Sequence, residues 1–301
     1  MIPITLISGY LGAGKTTLIN QLLASDLGLR LAVLVNDFGD INIDAARIRT
    51  QSDDVIELAG GCVCCRLSGG FAQALSDLRD RSPAISHILV ETSGVASPSA
   101  LADLIPMIDG VRLSLTAVLA DALNVEHRLL DRYVGEVVRA QLQAADLVIL
   151  TKTDAIPPDA AEACLKTLAR DFPGSTILAA SFGDLASHLL FQPEKAAKRR
   201  LRCEPPATDA HDLFESFTLS FAGAVDIERL AAALARPELG LQRAKGLALD
   251  HHLGLVNLDV VDTNWLITPQ VHDPEPTLGV VVIARRNSGA ADYITSLRDL
   301  D

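Results

Sequence analysis

The sequence has 301 residues, of which 49 % are apolar and 21 % charged, with 20 glycines and 14 prolines. The length allows two domains with sizeable cores, and the composition excludes a disordered, collagen-like or coiled-coil protein. With 26 Lys and Arg against 38 Asp and Glu, the formal net charge is −12. The chain therefore lacks the positive field that binding to a phosphate backbone requires, and nucleic acid is not expected as its main partner.

No apolar run reaches the roughly 18 to 20 residues that span a bilayer, and the start of the chain, MIPITLISG, has no basic segment before its apolar run. We therefore expect no membrane partner and a cytoplasmic location. Three of the five cysteines are Cys62, Cys64 and Cys65. In a reducing compartment, such a cluster favours metal or redox chemistry over a structural disulfide.

Short apolar runs alternate with helix-length segments over residues 1–191. This alternation predicts right-handed βαβ crossovers and an α/β domain with a mostly parallel sheet, covered on both faces. The predicted strands are 3–7, 31–35, 55–58, 87–91, 113–121, 147–151 and 176–180, and the predicted helices are 16–23, 71–78, 99–108, 125–145 and 159–170.

Residues 192–211 are polar and broken by prolines, which indicates a linker. Residues 212–301 are predicted to form a smaller α+β domain. Its predicted strands are 214–221, 241–249, 253–261, 265–267 and 278–284, and its predicted helices are 227–235 and 290–300.

The first predicted strand leads directly into GYLGAGKT, which matches the phosphate-loop pattern G-x-x-x-x-G-K-[ST] and precedes a predicted helix. Glycines allow backbone N–H groups to close around phosphate oxygens, and the helix N-terminus adds further donors. Lys15 is predicted to bind the β- and γ-phosphates and Thr16 to bind Mg²⁺. The predicted nucleotide-binding residues of this segment are Gly9, Gly12, Ala13, Gly14, Lys15, Thr16 and Thr17.

The nucleotide base is predicted from Thr151-Lys152-Thr153-Asp154, which follows a predicted strand and resembles the N-K-x-D signature of GTPases. The Asp154 carboxylate can accept from both N–H groups of guanine, and the aliphatic stem of Lys152 can cover the base. The pattern therefore favours GTP. The alternative for Asp154 is the N-cap of the helix that follows.

Two acidic residues are expected near the phosphates. Glu91 ends a predicted strand, and Gly94 follows three residues later. At such a strand end an NTPase holds Mg²⁺-bound water, and the loop that follows can sense the γ-phosphate. Asp37, after the predicted strand 31–35, is the second candidate. The predicted catalytic residues are thus Lys15, Glu91 and Asp37. Asp121 also ends a predicted strand, with a helix N-cap as an equal alternative.

The cysteine cluster follows Gly60-Gly61 at the end of another predicted strand, which brings it to the same edge of the sheet as the phosphate loop. Three thiolates can bind one borderline or soft ion such as Zn²⁺, with Co²⁺ and Fe²⁺ as further possibilities, and leave a tetrahedral position open. In an extended backbone, Cys65 would face away from the other two. The alternative is that the three are small buried hydrophobic residues.

In chain order, GYLGAGKTT, VNDFG, GCVCC, ETSG and TKTD, followed by a small α+β domain, resemble the CobW-like metallochaperone GTPases over essentially the whole chain. The resemblance implies that the C-x-C-C cysteines bind the metal, that Glu91 and Gly94 form the Walker-B-type element, and that Asp154 recognises the base. This chain departs from the family where it has Asp37 instead of Glu and Thr151 instead of Asn.

The sequence as a whole predicts a GTP-hydrolysing metallochaperone that delivers a divalent metal to a client protein. A P-loop kinase of a small molecule is one alternative, but it leaves the TKTD segment and the cysteines without a role. A metal-sensing module that binds nucleotide without useful turnover is the other. Because the cysteine segment lies between the two acidic loops in sequence, metal and GTP are expected to bind cooperatively.

Overall fold

The computed structural model describes residues 1–35, 55–57, 63–81, 84–180, 188–191, 213–221, 223–261, 263–270 and 278–297, and for 55–57, 63–70 and 188 it describes the backbone alone. The described residues up to 191 belong to one compact unit, and those from 213 onward belong to a second. The predicted linker, 192–211, lies outside the described residues.

The first unit is built on a parallel sheet. Its strands are β1 Ile2–Gly9, β2 Leu31–Val35, β3 Val55–Glu57, β4 His87–Glu91, β5 Val111–Asp121, β6 Leu147–Thr151 and β7 Thr176–Ala179. They lie in the order β3-β2-β4-β1-β5-β6-β7, and each neighbouring pair runs parallel. Wherever the structure describes the connection, the chain crosses over between strands through helices, as the alternating pattern predicted.

The α-helices among the described residues of this unit are α1 Lys15–Ala24, α2 Val63–Arg79, α3 Ser99–Leu104, α4 Val125–Leu130, α5 Gly135–Gln143, α6 Pro158–Asp171 and α7 His188–Phe191. They cover both faces of the sheet. Alternate residues of β1 show this, because Leu6 packs in one core with Phe71 of α2, whereas Ile7 packs in another with Ile19 of α1. Both faces of the central strands are thus largely apolar, and the buried carboxylates Glu91 and Asp121 lie at strand ends.

All carboxyl ends of a parallel sheet share one edge. β1 lies between β4 and β5, so the loop after β1 meets the loops after both neighbours at that edge. This is the switch point at which open α/β sheets bind ligands.

Two helices of the first unit differ most from the sequence prediction. The predicted helix 125–145 is two helices, because the Asp131 carboxylate accepts from the N–H groups of Tyr133 and Val134 and ends the first of them in a turn. The predicted helix 71–78 begins at Val63 and runs through Gly69 and Gly70. The backbone at Cys64 and Cys65 is therefore helical, and the extended backbone considered for these cysteines is wrong from Val63 onward.

The described residues of the second unit form an antiparallel sheet with two α-helices. Its elements are β8 Phe214–Leu219, α8 Ile227–Leu234, β9 Leu241–Asp250, β10 Gly254–Val261, β11 Asn264–Pro269, β12 Gly279–Arg285 and α9 Ala290–Ser296. The strand order is β11-β10-β9-β12-β8. The predicted fold class, a P-loop-type α/β domain with a mostly parallel sheet and a smaller α+β domain after it, is confirmed.

One face of this second sheet packs against α8 and α9. Leu230 and Leu234 of α8 are buried against Val256 and Leu258 of β10. The Asp226 side chain caps α8 by accepting from the N–H of Arg229 at 2.9 Å. In the part of the chain that the structure describes, no helix of either unit is long and apolar enough to cross a membrane.

Candidate functional site

The loop between β1 and α1 depends on glycine at three positions. The backbone of Gly9, Gly12 and Gly14 has φ values of 138°, 77° and 96°, which side-chain-bearing residues rarely adopt. A Cβ on Gly9 would also lie 2.3 Å from the carbonyl oxygen of Leu119 in β5. The backbone at Gly9 therefore packs directly against the end of β5, and Gly14 leads into the first turn of α1.

Lys15 and Thr16 begin α1 and already engage polar groups of the site. The buried Lys15 ammonium donates to the Gly9 carbonyl oxygen at 2.9 Å. The Thr16 hydroxyl donates to Glu91 Oε1 at 3.2 Å. Thr17, which follows them, is exposed. The structure thus brings the predicted lysine, hydroxyl and carboxylate together, although they come from two separate segments.

The loop after β4, residues 92–97, lies directly against the phosphate loop. The Thr92 N–H donates to the Ile7 carbonyl at 2.9 Å, and its hydroxyl donates to Ser8 Oγ at 2.9 Å. A Cβ on Gly94 would lie 2.5 Å from Leu11 Cδ2 and 3.0 Å from Leu11 N. Glycine at position 94 is therefore required for the contact between the two loops.

The TKTD segment is attached to the phosphate loop through Thr151. Its hydroxyl lies 2.9 Å from the carbonyl oxygen of Ala13 and 3.2 Å from that of Ala120. The residue that departs from the usual Asn thus contacts the phosphate loop directly.

Lys152 is held by Asp121 at the end of β5. Lys152 has a left-handed backbone, with φ 58°, and its ammonium forms a 2.8 Å ion pair with Asp121 Oδ2. The buried Asp121 carboxylate also accepts from Leu123 N and Asn124 Nδ2, and α4 begins after Asn124. An N-cap role for Asp121 is therefore wrong, and its carboxylate fixes the direction of the Lys152 side chain.

Asp154 lies in a short 3₁₀ turn, Thr153–Ala155, with its side chain exposed. The N-cap of the following helix α6 is Pro157. The alternative that Asp154 caps this helix is therefore wrong, and its carboxylate is accessible to a ligand.

Two buried side chains behind the loops were missed by the sequence analysis. Arg128 of α4 donates to the Leu11 carbonyl at 2.8 Å, and its guanidinium lies 4.5 Å from the centre of the Tyr10 ring. Gln141 of α5 donates to the carbonyl oxygens of Gly94 and Ala96 at 3.1 and 2.9 Å. The only signal in the sequence was a charged and a polar residue at positions that the helical pattern predicts to be buried.

Asp37 and Cys62 lie outside the described residues, and the side chains of Cys64 and Cys65 do too. Among the side chains that the structure does describe, no group of three His, Cys, Asp or Glu residues could hold a metal ion. Cys164 of α6 differs chemically from a metal-binding thiolate, because burial, aided by the charge of Glu126, raises the pKa of its thiol to about 11. It remains a neutral thiol at physiological pH.

The oxygen atoms at this edge suit Mg²⁺, which binds carboxylate and hydroxyl oxygens. The Thr16 hydroxyl and the Glu91 carboxylate lie within hydrogen-bond distance of each other beside the first turn of α1, so one ion could be reached by both. The residues present therefore fit the magnesium ion that accompanies nucleotide phosphates.

A parallel sheet with a glycine loop between β1 and α1, followed by a buried lysine, defines this protein as a P-loop NTPase. The chain belongs to the CobW/HypB/UreG family, whose nucleotide-binding-domain model matches residues 3–178. The family predicted from the motifs is thereby confirmed.

Individual relatives match over most of the chain. The chain is 32 % identical over 289 residues to the zinc chaperone CobW of a Sinorhizobium species. This match covers 82 % of this chain and 81 % of that protein. It is 30 % identical over 240 residues to the zinc chaperone CobW of Pseudomonas aeruginosa, which covers 69 % of this chain and 64 % of that protein. The solved structure of HypB from Helicobacter pylori in complex with nickel matches with a TM-score of 0.50 and 18 % identity over 66 % of this chain and 92 % of that chain. This last likeness concerns the fold alone.

Proposed function

We propose that the protein is a GTP-hydrolysing metallochaperone that binds a divalent metal and delivers it to a client protein. The observation that carries the proposal is the convergence of three segments at one edge of the first sheet. Thr16 contacts Glu91, and Thr151 contacts Ala13, so the phosphate loop, the acidic strand end and the TKTD segment form one site. A small-molecule kinase would not need the TKTD segment in this contact.

In this proposal the phosphate loop binds the nucleotide phosphates. Lys15 exchanges its bond to Gly9 for the β- and γ-phosphates, which are stronger acceptors because they are charged. Lys152 covers the base with its stem, and the exposed Asp154 accepts from guanine. The backbone and side-chain contributors of the loop are Gly9, Gly12, Ala13, Gly14, Thr16 and Thr17, with Gly94 facing the γ-phosphate.

Thr16 and Glu91 would hold Mg²⁺ in this proposal, Glu91 directly or through a water molecule. When bound, the ion neutralises charge that develops on the phosphate oxygens. Glu91 and Lys15 are the proposed catalytic residues, together with Asp37, which follows β2 in sequence.

The proposed cargo is zinc, and its proposed ligands are Cys62, Cys64 and Cys65. The names of the two CobW relatives support zinc. Thiolate ligands also suit Zn²⁺, although Co²⁺ and Fe²⁺ remain alternatives on the same chemistry. A fourth coordination position would be free for a client ligand, so the metal could be transferred without first losing all its partners.

We further propose that residues 1–191 form the GTPase domain, 192–211 a linker and 212–301 the C-terminal domain, and that the protein acts in the cytoplasm. Metal should bind roughly 5- to 150-fold more tightly with GTP than with GDP, the range of typical coupling energies of about 1–3 kcal/mol. By linkage, the metal must favour GTP over GDP by the same factor.

Hydrolysis of GTP and ATP, measured as Mg²⁺-dependent phosphate release, tests the nucleotide part. The wild type should prefer GTP, and Asp154→Ala should remove that preference. Asp159→Ala, which changes an exposed aspartate of α6 five residues later, is the matched control and should leave it intact. A wild type that uses both nucleotides equally would contradict guanine recognition.

Titration of the reduced, anaerobic protein with Co²⁺ tests the metal part. We expect one equivalent per chain with sulfur-to-cobalt charge-transfer absorption, lost in Cys62→Ser and Cys64→Ser. Apparent affinity should rise with pH across the neutral range, because free thiols ionise near pH 8.5. Cys164→Ala, which removes a buried thiol, is the control. Absorption that survives Cys64→Ser would contradict the proposed site.

A further inference from the structure

The phosphate loop and the 92–97 loop each accept hydrogen bonds from one buried side chain of a neighbouring helix. Arg128 of α4 holds the phosphate loop at the Leu11 carbonyl, and Gln141 of α5 holds the 92–97 loop. The two loops also touch each other, since Gly94 packs against Leu11 with no room for a Cβ. The position of the 92–97 loop is therefore fixed by contacts on two sides.

Gln141 makes an unusual pair of contacts for one side chain. Its amide nitrogen donates to the Gly94 carbonyl at 3.1 Å and to the Ala96 carbonyl at 2.9 Å. A carboxamide nitrogen has two hydrogens, so both of its donors are used on the same short loop. Gln141 is 1 % exposed, and water therefore cannot readily replace these bonds.

The held loop contains an unsatisfied polar group. Ser93 is 2 % exposed, and its hydroxyl has no hydrogen-bond partner among the residues that the structure describes. A buried hydroxyl without a partner raises the free energy of the arrangement that contains it. An alternative position of the loop that gives Ser93 a partner would recover this free energy.

We propose that Gln141 is a positioning residue that latches the 92–97 loop against α5 and sets how readily the loop reaches a γ-phosphate. This inference rests on the proposed function. For the backbone at Gly94 to follow a γ-phosphate, its carbonyl must shift, and the bond to Gln141 opposes that shift. A triphosphate offers the contacts that offset the loss of the latch, whereas a diphosphate does not.

Gln141→Met tests the latch, because methionine has a similar shape and no N–H donor. We expect a non-hydrolysable GTP analogue to bind roughly 5- to 100-fold more tightly, the effect of losing two net hydrogen bonds from the latched arrangement, with GDP affinity unchanged. Gln143→Met changes an exposed glutamine on the same helix and should alter neither affinity.

Amide hydrogen exchange provides a readout that needs no nucleotide. Without the latch, amides of residues 92–97 should exchange at least about fivefold faster in Gln141→Met, and those of α1 should not change. If Gln141→Met does not fold, Gln141→Asn serves instead, because the shorter side chain cannot reach both carbonyls.

The outcomes separate this inference from the proposed function. Unchanged exchange of the 92–97 amides would overturn the latch whatever the protein binds. Equal changes in GTP and GDP affinity, or weaker binding of the GTP analogue, would also overturn it while leaving nucleotide binding in place. A wild type that binds no guanine nucleotide would overturn the proposed function, and the exchange result would still decide whether Gln141 holds the loop.

Discussion

The two sheets of this protein bury polar side chains for different purposes. In the first sheet, the polar side chains at the carboxyl edge contact loops, as Glu91 does with Thr16 and Thr151 with Ala13. In the second sheet, the buried Asp250 carboxylate accepts from three backbone N–H groups, those of Ile227, His252 and Leu253. These bonds close the turn after β9 and fix the start of α8.

The difference follows from how the strands are connected. Parallel strands return through helices, so their carboxyl ends carry loops that are free to bind a ligand. Antiparallel neighbours such as β9 and β10 are joined by a tight turn, whose polar groups must be satisfied locally. Substitutions at the first edge should therefore change ligand binding, and substitutions in the second sheet should change stability.

The largest expected effect is that of Lys15→Ala on nucleotide binding. Removing a charged donor to phosphates should weaken GTP binding by about 100-fold or more, since a charge-assisted hydrogen bond contributes about 1.5–3 kcal/mol and Lys15 is proposed to bind two phosphates. Thermal stability without nucleotide should change little. Isothermal titration calorimetry measures the GTP affinity. The control is Lys166→Ala, which removes an exposed ion pair of α6. Retained GTP affinity in Lys15→Ala would remove the distinction between the two sheets.

Gly246→Ala should lower the stability of the second unit and leave GTP binding unchanged, the reverse of what is expected for Lys15→Ala. A Cβ at this position of β9 would lie 2.0 Å from the Gly279 carbonyl and 2.6 Å from Val280 Cα, so the strands must separate at a cost of about 3 kcal/mol. The fluorescence of Trp265, the single tryptophan and a residue of β11, reports unfolding of this sheet. Gly223→Ala, where a Cβ meets open space, is the control. GTP affinity should not change, and a stable Gly246→Ala protein would contradict the packing argument.

His87 shows that the amino end of the first sheet also serves stability. It begins β4, is buried, and lies 2.9 Å from the Thr5 hydroxyl and edge-on to the Phe191 ring. Burial, and to a lesser extent the charge of Arg112, lowers the pKa of His87 to about 4. In the unfolded chain its pKa is near 6.5. Between these values the unfolded state binds more protons, so the free energy of unfolding falls as the pH falls.

The expected contribution of His87 is a loss of roughly 2 kcal/mol of stability between pH 7 and pH 5. Chemical denaturation followed by far-UV circular dichroism at both pH values measures it. His87→Gln, which does not titrate, should lose correspondingly less over the same interval. Identical pH dependence in the two proteins would show that the imidazole is not buried in its neutral form.

The sequence predicted much of the fold, because its signals are local. Strands β2 and β4 have the predicted bounds, since each contains a continuous apolar run, residues 31–35 in β2 and 88–90 in β4. The break at Asp131 was missed because the apolar periodicity continues across it, and only the side chain's bonds to Tyr133 and Val134 reveal the turn.

In the candidate site, too, the residues in local sequence motifs were predicted, and those brought in by the fold were missed. Lys15, Glu91 and Asp154 could be named because each belongs to a short motif beside a strand end. Arg128 could not, because its partner Leu11 lies 117 positions away in sequence, and only the fold brings the two together. Gln141 was missed for the same reason.

The smallest expected effect is that of Thr151→Val, which tests whether a polar contact at the carboxyl edge of the first sheet contributes to nucleotide binding. The Thr151 hydroxyl holds the Ala13 carbonyl, so Thr151→Val removes one neutral hydrogen bond, worth about 1 kcal/mol, and leaves the buried carbonyl with one donor fewer. GTP and GDP should both bind roughly 3- to 10-fold more weakly, because Ala13 is proposed to bind phosphates that the two nucleotides share. Thr151→Ser keeps the hydroxyl and should bind both nucleotides as the wild type does. The preference for GTP over ATP should persist in both variants, because the carboxylate proposed to read the base is that of Asp154. If Thr151→Val bound nucleotides with wild-type affinity, the bond to Ala13 would be structural only, and this position would behave like the polar residues of the second sheet.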